Sequence, residues 1–295
     1  MTTLVYGLGE SGVAATRALT ERGERVLVAD GSDDERLRDT LAALDVSGVL
    51  GAGPDVLYGI DRIIVSPGVS PRNPVLRAAG AQGIPIVSEV GLGLELLGED
   101  ACVAAVTGTN GKTTVVDMLH HMLEASGVPH AVAGNSWRSL TGCLEETRTA
   151  GLLVLEVSSF QLHYLKNPGF EVAALLNVRP DHLNWHESFE EYIKDKLRIF
   201  EGQQAEDLAL VSATDPIGRA AIDTFRAEAL VVGEGDTALR DGRLLLRGSH
   251  LAEVAELRFA GTHNHENALF AATVAQWLGA ELGEIREALL EYEAR

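Results

Sequence analysis

A short apolar segment that runs into a glycine turn, and from there into a helix opening with Lys-Thr-Thr, leaves a chain few folds. Here the segment is Val103-Ala104-Ala105-Val106 and the turn is Thr107-Gly108-Thr109-Asn110-Gly111. Lys112-Thr113-Thr114 opens the helix, and Val115, Val116, Met118, Leu119, Met122 and Leu123 follow at helical spacing. That order predicts a buried strand, a phosphate-binding loop and a helix. Backbone N–H groups of the turn and of the helix N-terminus would face an anion. Lys112 would reach the outer phosphates of a nucleotide, and the Thr113 hydroxyl would sit on Mg²⁺. The common spacing, G-x-x-x-x-G-K-[ST], asks for glycine where this chain has Val106. The loop is therefore the shorter Gly108-Thr109-Asn110-Gly111-Lys112-Thr113-Thr114. An ordinary turn between strand and helix needs neither the lysine nor the two hydroxyls.

A second glycine turn lies near the start of the chain. The apolar run Thr3-Leu4-Val5-Tyr6 leads to Gly7-Leu8-Gly9-Glu10-Ser11-Gly12, then to a helical pattern, then to a second run, Arg25 to Ala29, ending at Asp30. This is the dinucleotide fingerprint G-x-G-x-x-G with an acidic residue roughly 20 positions on, and it predicts a Rossmann-like unit. Asp30 fits two roles equally: a contact to a ribose or base edge, or a turn residue before Gly31-Ser32. The strand Ile63-Ile64-Val65 ends in Ser66-Pro67-Gly68. Open parallel sheets bind ligands at the carboxyl ends of their strands. Gly9, Glu10, Ser11, Asp30, Ser66, Pro67 and Gly68 all fall at such ends, which favours one small-molecule site.

At 295 residues the chain is long for a single core. It divides into residues 1–91, Rossmann-like, and 92–295, around the phosphate loop. A net charge of −19 argues against nucleic acid or an anionic membrane as the main partner. It does not argue against nucleotides, which are held by local N–H groups, a lysine and metal. Cys102 and Cys143 are too few for a disulfide framework or a cysteine-rich metal site. No apolar run approaches membrane-spanning length, and no secretory signal pattern opens the chain, so a cytoplasmic location is expected.

Polar clusters recur at the ends of apolar runs. Leu152-Leu153-Val154-Leu155 ends in Glu156-Val157-Ser158-Ser159-Phe160-Gln161. A strand-end acid beside a phosphate loop holds Mg²⁺ directly or through water. Val172 to Val178 is followed by Arg179-Pro180-Asp181-His182, and the same position favours a metal or phosphate role for His182. His186 reads as an ordinary polar residue. Lys194 and Lys196 lie in a helix over 189–200, and spacing promotes neither. Residues 239–246 and 254–259 suggest a small antiparallel piece. Asn264 and Asn267, three apart at a helix start, share a face; one fits a cap, and together they would suit a nucleobase.

Taken in order, these motifs resemble the Mur ligases, over essentially the whole chain. Thr107 to Thr114 resembles the family's ATP loop, Val106 included; Leu155 to Leu162 its Mg²⁺ segment; Asn177-Val178 with Asp181-His182-Leu183 its histidine segment; and His263-Asn264 with Asn267 the stretch near adenine. Gly7 to Gly12 with Ser66-Pro67-Gly68 resembles the branch that adds D-glutamate, whose Rossmann-like domain holds UDP and not NAD. The resemblance implies a P-loop central domain after that first domain, and an ATP-dependent, Mg²⁺-requiring amide ligase of peptidoglycan precursor synthesis. Its substrates would be ATP, UDP-N-acetylmuramoyl-L-alanine and D-glutamate, joined through an acyl phosphate by a monomeric enzyme. It implies catalytic roles for Lys112, Asn135, His182 and Lys196, with Lys196 falling where the family carries a carbamylated lysine. It implies metal ligands Thr113, Glu156, His182 and carbamylated Lys196. Asn135, Ser158, Ser159 and Gln161 join the UDP-sugar residues.

Gly31-Ser32 stands where relatives often place Thr-Arg, and Ser136-Trp137 where they more often have Ile-Gly; weaker uracil or ribose contacts are expected at the first. Family members continue into a third domain that binds the incoming amino acid, while this chain stops at Arg295, so weak or no ligation is expected of it alone. The alternatives are an L-alanine-adding Mur-type ligase, folylpolyglutamate synthase, and a nucleotide-binding or UDP-sugar-binding module without chemistry. The unit at Gly7 to Gly12 argues against the folate enzyme. An NAD-dependent oxidoreductase ranks last, because no residues supply a hydride-transfer site.

Overall fold

The computed structural model describes residues 1–99 and 101–293. The first part of the chain alternates strand and helix: β1 (Thr2–Tyr6), α1 (Glu10–Glu21), β2 (Arg25–Asp30), α2 (Glu35–Ala42), β3 (Gly48–Leu50), β4 (Arg62–Val65), α3 (Pro74–Ala81) and β5 (Ile86–Ser88). The strands form one parallel sheet in the order β3-β2-β1-β4-β5. Its strands read as continuous apolar runs because both faces are covered. Leu4 and Tyr6 of β1 enter one core, and Val5 enters the core on the opposite face. The order places β1 beside β4 at the topological switch point, so the turns after Tyr6 and Val65 lie side by side.

α4 (Glu89–Leu97) joins this sheet to the next. Ser88 caps it by accepting the Gly91 N–H at 3.2 Å, and Gly98, at φ +66°, ends it. Val90, Leu94 and Leu97 pack into the core of the second sheet, while Leu92 and Leu96 pack into the first. A helix that serves two cores is apolar nearly all round. In the sequence, Leu92 to Glu99 reads as a short amphipathic piece bridging to Ala101; the helix begins earlier, at Glu89.

The second sheet is built from β6 (Cys102–Thr107), α5 (Lys112–Ala125), β7 (Ala131–Gly134), α6 (Leu144–Ala150), β8 (Leu152–Glu156), α7 (Ser159–His163), β9 (Val172–Leu175), α8 (Phe189–Leu197), β10 (Leu208–Ser212), α9 (Pro216–Ala221) and β11 (Glu228–Val232). Its strands are parallel in the order β11-β10-β9-β6-β8-β7. Ala104 and Val106 of β6 face a core shared with α5, while Val103 and Ala105 face the opposite core. The register sets Glu156 opposite Val106 on one side and Gly134 on the other. The acid thus ends level with the mouth of the glycine loop.

A three-stranded antiparallel sheet follows: β12 (Ala238–Arg240), β13 (Arg243–Leu246) and β14 (Ser249–Glu253). α10 (Thr262–Trp277) and α11 (Leu282–Glu291) then pack on α5. The third strand is residues 249–253, not the expected 254–259. Glu253 and Glu256 form a capping pair that turns the chain into a single 3₁₀ turn at Val254–Glu256. The helix over 189–200 is α-helical only to Leu197 and then tightens into a 3₁₀ turn over Arg198–Phe200. β3 has no counterpart in the sequence reading, because Gly48-Val49-Leu50 is too short and too exposed to carry a periodic signal.

Candidate active site

The loop after β6 is braced from the neighbouring strand end. Asn177, just past β9, accepts the Thr109 N–H on its backbone oxygen (2.8 Å) and the Asn110 N–H on its side chain (2.9 Å). Its amide also donates to the Asn110 carbonyl at 3.1 Å. Gly111 stands at φ +87°, where a Cβ would come 2.8 Å from Oδ1 of Asn267, so the turn requires glycine at this position. No side chain caps α5. The first N–H groups of a helix have no intrahelical partner, and an uncapped start of this kind suits an anion.

Beside that turn Glu156 is fully buried. Its Oε1 accepts from Ser136 Oγ (3.0 Å), Thr113 Oγ1 (3.2 Å) and Asn135 Nδ2 (3.2 Å). Oε2 is buried and has no hydrogen-bond partner among the described residues. A buried carboxylate oxygen without a partner is costly unless a cation meets it. A hard oxygen donor next to a threonine hydroxyl and a phosphate loop suits Mg²⁺.

Two lysines converge on the same loop. Lys112 Nζ donates to the carbonyls of Gly108 (2.9 Å) and Thr109 (3.2 Å). Lys196 Nζ, reaching from α8, donates to the same Gly108 carbonyl at 2.8 Å. Burial pulls the Lys112 pKa down, against the opposing charges of Glu156 and Asp181. Burial, reinforced by the Lys112 charge, brings Lys196 down to about 7. The fold thus separates Lys196 from Lys194, which spacing alone could not do.

His182 lies elsewhere. It sits at φ +53° in the loop before α8, where its N–H donates to Asp181 Oδ1 (2.8 Å) and its ring meets Phe160 edge-on at 4.9 Å. Its side chain is half-exposed, and none of these contacts is with Glu156 or Lys196. His186, read as ordinary, is instead fully buried.

A cleft of about 500 Å³ runs between the two sheets. Gly9, Glu10, Ser11, Asp30 and Ser66-Pro67-Gly68 line one side, and Asn135, Trp137 and Gln161 the other. Gly12 packs so tightly that a Cβ there would fall 1.8 Å from the Gly7 carbonyl oxygen. Asp30 serves the loop as well as the cleft, since its carboxylate accepts the N–H groups of Leu8 and Ser32, both at 2.9 Å. Ser158 and Ser159 do not line the cleft. Ser158 caps α7 in a capping box with Gln161, and the buried Ser159 hydroxyl lies 3.0 Å from His186 Nε2. Glu89 is a cleft residue the sequence reading did not select; it is buried, and Thr141 donates to it from both N–H and hydroxyl.

On the far side of the loop a pocket of about 630 Å³ is lined by Thr113, Thr114, Asp117, Trp137, Asn264 and Tyr292. Asn264 does not cap α10; its amide donates back to the Ala260 carbonyl at 2.9 Å. Its position beside two aromatic rings suits a planar base. Asn267, buried against Gly111, supports the loop and does not open onto this pocket.

Fold and site together define an α/β protein with a phosphate loop set beside a Rossmann-like half. The chain belongs to the Mur ligase family. The family's middle domain matches residues 106–275, and the Mur ligase MurD-like N-terminal domain matches residues 1–88. The chain is 69% identical, over 99% of its length, to the UDP-N-acetylmuramoylalanine--D-glutamate ligase of Rubrobacter xylanophilus, covering 67% of that protein. It is 37% identical over 97% of its length to the Streptomyces coelicolor ligase of the same name, covering 65% of it. The chain therefore spans about two thirds of the length of these curated relatives. Among solved structures, the UDP-N-acetylmuramate:L-alanyl-gamma-D-glutamyl-meso-diaminopimelate ligase from Neisseria meningitides superposes with a TM-score of 0.69 at 17% identity, covering 100% of this chain and 98% of that one. The Thermotoga maritima UDP-N-acetylmuramate-alanine ligase gives 0.57 at 22% identity, over 99% and 68% of the two chains. Among the described residues no helix is long and apolar enough to cross a membrane.

Proposed function

We propose that this chain binds ATP with Mg²⁺ at residues 108–114 and UDP-N-acetylmuramoyl-L-alanine in the cleft. Together these sites would serve the addition of D-glutamate to the alanine carboxylate through an acyl phosphate. One observation carries the reading. Asn135 lines the cleft and hydrogen-bonds Glu156, which also hydrogen-bonds Thr113 of the phosphate loop. The acceptor end of one ligand and the transferable phosphate of the other thus meet around a single buried carboxylate.

The N–H groups at the start of α1 and the turn after β4 hold the diphosphate and ribose end of the UDP-sugar. Asn135 directs the alanine carboxylate toward the loop. The first turn of α5 and Lys112, which exchanges its carbonyl partners for phosphate oxygens, spread the charge of the transferring phosphoryl group. Asn264, Trp137 and Tyr292 hold the base. Thr113 and Glu156 would hold Mg²⁺, which neutralises phosphate charge when bound. Lys196 carries a carbamate in this reading. An amine with a pKa of about 7 is half neutral at physiological pH, and the neutral amine is the form that adds CO₂.

Isothermal titration should show UDP-N-acetylmuramoyl-L-alanine and Mg²⁺-bound non-hydrolysable ATP binding together, with Lys112→Ala abolishing only the nucleotide. In a protein that also carries the family's third domain, ADP release should require both UDP-N-acetylmuramoyl-L-alanine and D-glutamate. ATP turnover indifferent to both, or tighter binding of UDP-N-acetylmuramate lacking alanine, would sink the assignment.

A further inference from the structure

Behind the phosphate loop, α7 and α8 bring together a second group of ligating side chains. His163 ends α7, and Glu191 and Asp195 stand one turn apart on α8, so both carboxylates project from one helix face. One ligand atom from each of these three residues lies within 4.8 Å of the others. Two imidazoles converge on a single carboxylate oxygen. His163 Nδ1 is 2.7 Å from Asp195 Oδ2, and His186 Nδ1 is 3.3 Å from the same atom.

An independent observation shows that this packing is incomplete by itself. His186 is fully buried, and its Nδ1, aimed into the cluster, is out of line for a hydrogen bond with Asp195 and has no hydrogen-bond partner among the described residues. Asp195 Oδ2 thus has His163 Nδ1 at 2.7 Å and His186 Nδ1 at 3.3 Å, the second without an aligned hydrogen bond.

The surroundings orient each group as a metal ligand is oriented. Ser159 Oγ holds His186 at Nε2 (3.0 Å), which leaves Nδ1 toward the cluster. Arg198 Nε donates to Asp195 Oδ1 (3.1 Å), which leaves Oδ2 as the shared corner. The Glu187 N–H donates to Glu191 Oε2 at 2.6 Å. The His163 side chain keeps 20% exposure and gives an ion a way in from solvent.

We propose that His163, His186, Glu191 and Asp195 bind one divalent transition-metal ion of the zinc type, at a position separate from the Glu156 oxygen. Two neutral imidazoles and two carboxylates balance a divalent charge and match the mixed nitrogen–oxygen sets of four-coordinate zinc. A donor set half nitrogen disfavours Mg²⁺ and Ca²⁺. Binding uses the His163 Nδ1 lone pair, so a proton held on that nitrogen moves to Nε2 or leaves to solvent as the ion enters. The ion ties α7, α8 and the turn carrying His186 together. Because Asp195 precedes Lys196, it also fixes the helix that delivers Lys196 to the Gly108 carbonyl.

The test uses the metal-stripped chain and Zn²⁺ alone, read by competition with a chromophoric chelator and by thermal shift. One equivalent should bind, raise Tm, and resist excess Mg²⁺. Glu156→Gln should keep this site. His163→Ala, a change at a partly exposed residue that should fold normally by circular dichroism, should weaken Zn²⁺ by at least about tenfold, as even outer-shell losses do. Co²⁺ should give the intense visible absorption of a four-coordinate ion in wild type and not in His163→Ala. Equal Zn²⁺ affinity in wild type and His163→Ala would overturn the proposal. So would loss of the zinc in His130→Ala, whose ring pairs with His120 at 2.7 Å, or a weak, six-coordinate Co²⁺ spectrum.

Discussion

Lys194 and Lys196 have the same sequence credentials, two lysines on one helix two residues apart. Two positions on a helix do not share a face, so at most one can point at the loop, and packing makes it Lys196. Among the described residues, its buried ammonium has only the Gly108 carbonyl and Thr107 hydroxyl as hydrogen-bond partners; that burial, with a second lysine nearby, is why its pKa falls to about 7. The sign of the pH dependence follows. Below that value the amine is protonated and inert to CO₂; above it the neutral form accumulates and a carbamate can form. In ¹³C-labelled bicarbonate the wild-type chain should show a carbamate resonance that grows as pH rises through about 7, and Lys196→Met should show none. A signal independent of pH, or one surviving in Lys196→Met, would place the chemistry on another amine. Glu156 makes the complementary case, since its strand position was legible in the sequence, but its unpartnered second oxygen emerged only with the packing.

At the scale of elements, the helix after the first sheet decides how the two halves are held. α4 divides its apolar side chains between two cores, Val90 and Leu97 to one and Leu92 to the other. Leu92 is fully buried. Leu92→Ala removes a branched side chain where the backbone cannot collapse, and should cost about 2–5 kcal/mol. Because both cores rest on this helix, urea unfolding followed by fluorescence should remain one transition displaced to lower urea. Separate transitions for the two halves would show that α4 does not couple them. In the sequence this helix reads as a short amphipathic bridge over Leu92 to Glu99, because a pattern on one face does not show that the other side is buried as well. The antiparallel sheet was legible as a kind and not in its limits, since the Glu253–Glu256 cap that ends β14 competes with a strand pattern running on to Phe259.

For the whole molecule, the cleft matters because its two walls come from different sheets. Residues of the Gly7 to Gly12 turn stand across it from Asn135, whose amide reaches Glu156. A ligand that fills only the first wall should not sense the second. Asn135→Ala should therefore weaken UDP-N-acetylmuramoyl-L-alanine by about tenfold, the loss of one or two hydrogen bonds to a charged group, and leave UDP itself within about twofold in the same titration. Equal weakening of both would mean that Asn135 supports the fold of the cleft and not the acyl end of the ligand.

The sequence by itself determined the two parallel-sheet units, the glycine turns after β1 and β6, and the strand-end position of Glu156. These are local matters: apolar runs, glycine at left-handed backbone and helix-start chemistry are written in consecutive residues. Tertiary structure decided which lysine reaches the loop, that Asn177 braces it, that His182 stays half-exposed, and that Ser159 faces His186 and not the cleft. Those outcomes depend on which strand lies beside which, and on how each helix is rotated over the sheet. The same holds for the grouping of His163, His186, Glu191 and Asp195. Drawn from two helices and a loop, these residues carry no common spacing; packing brings ligand atoms of His163, Glu191 and Asp195 within 4.8 Å of one another and His186 Nδ1 to 3.3 Å from Asp195.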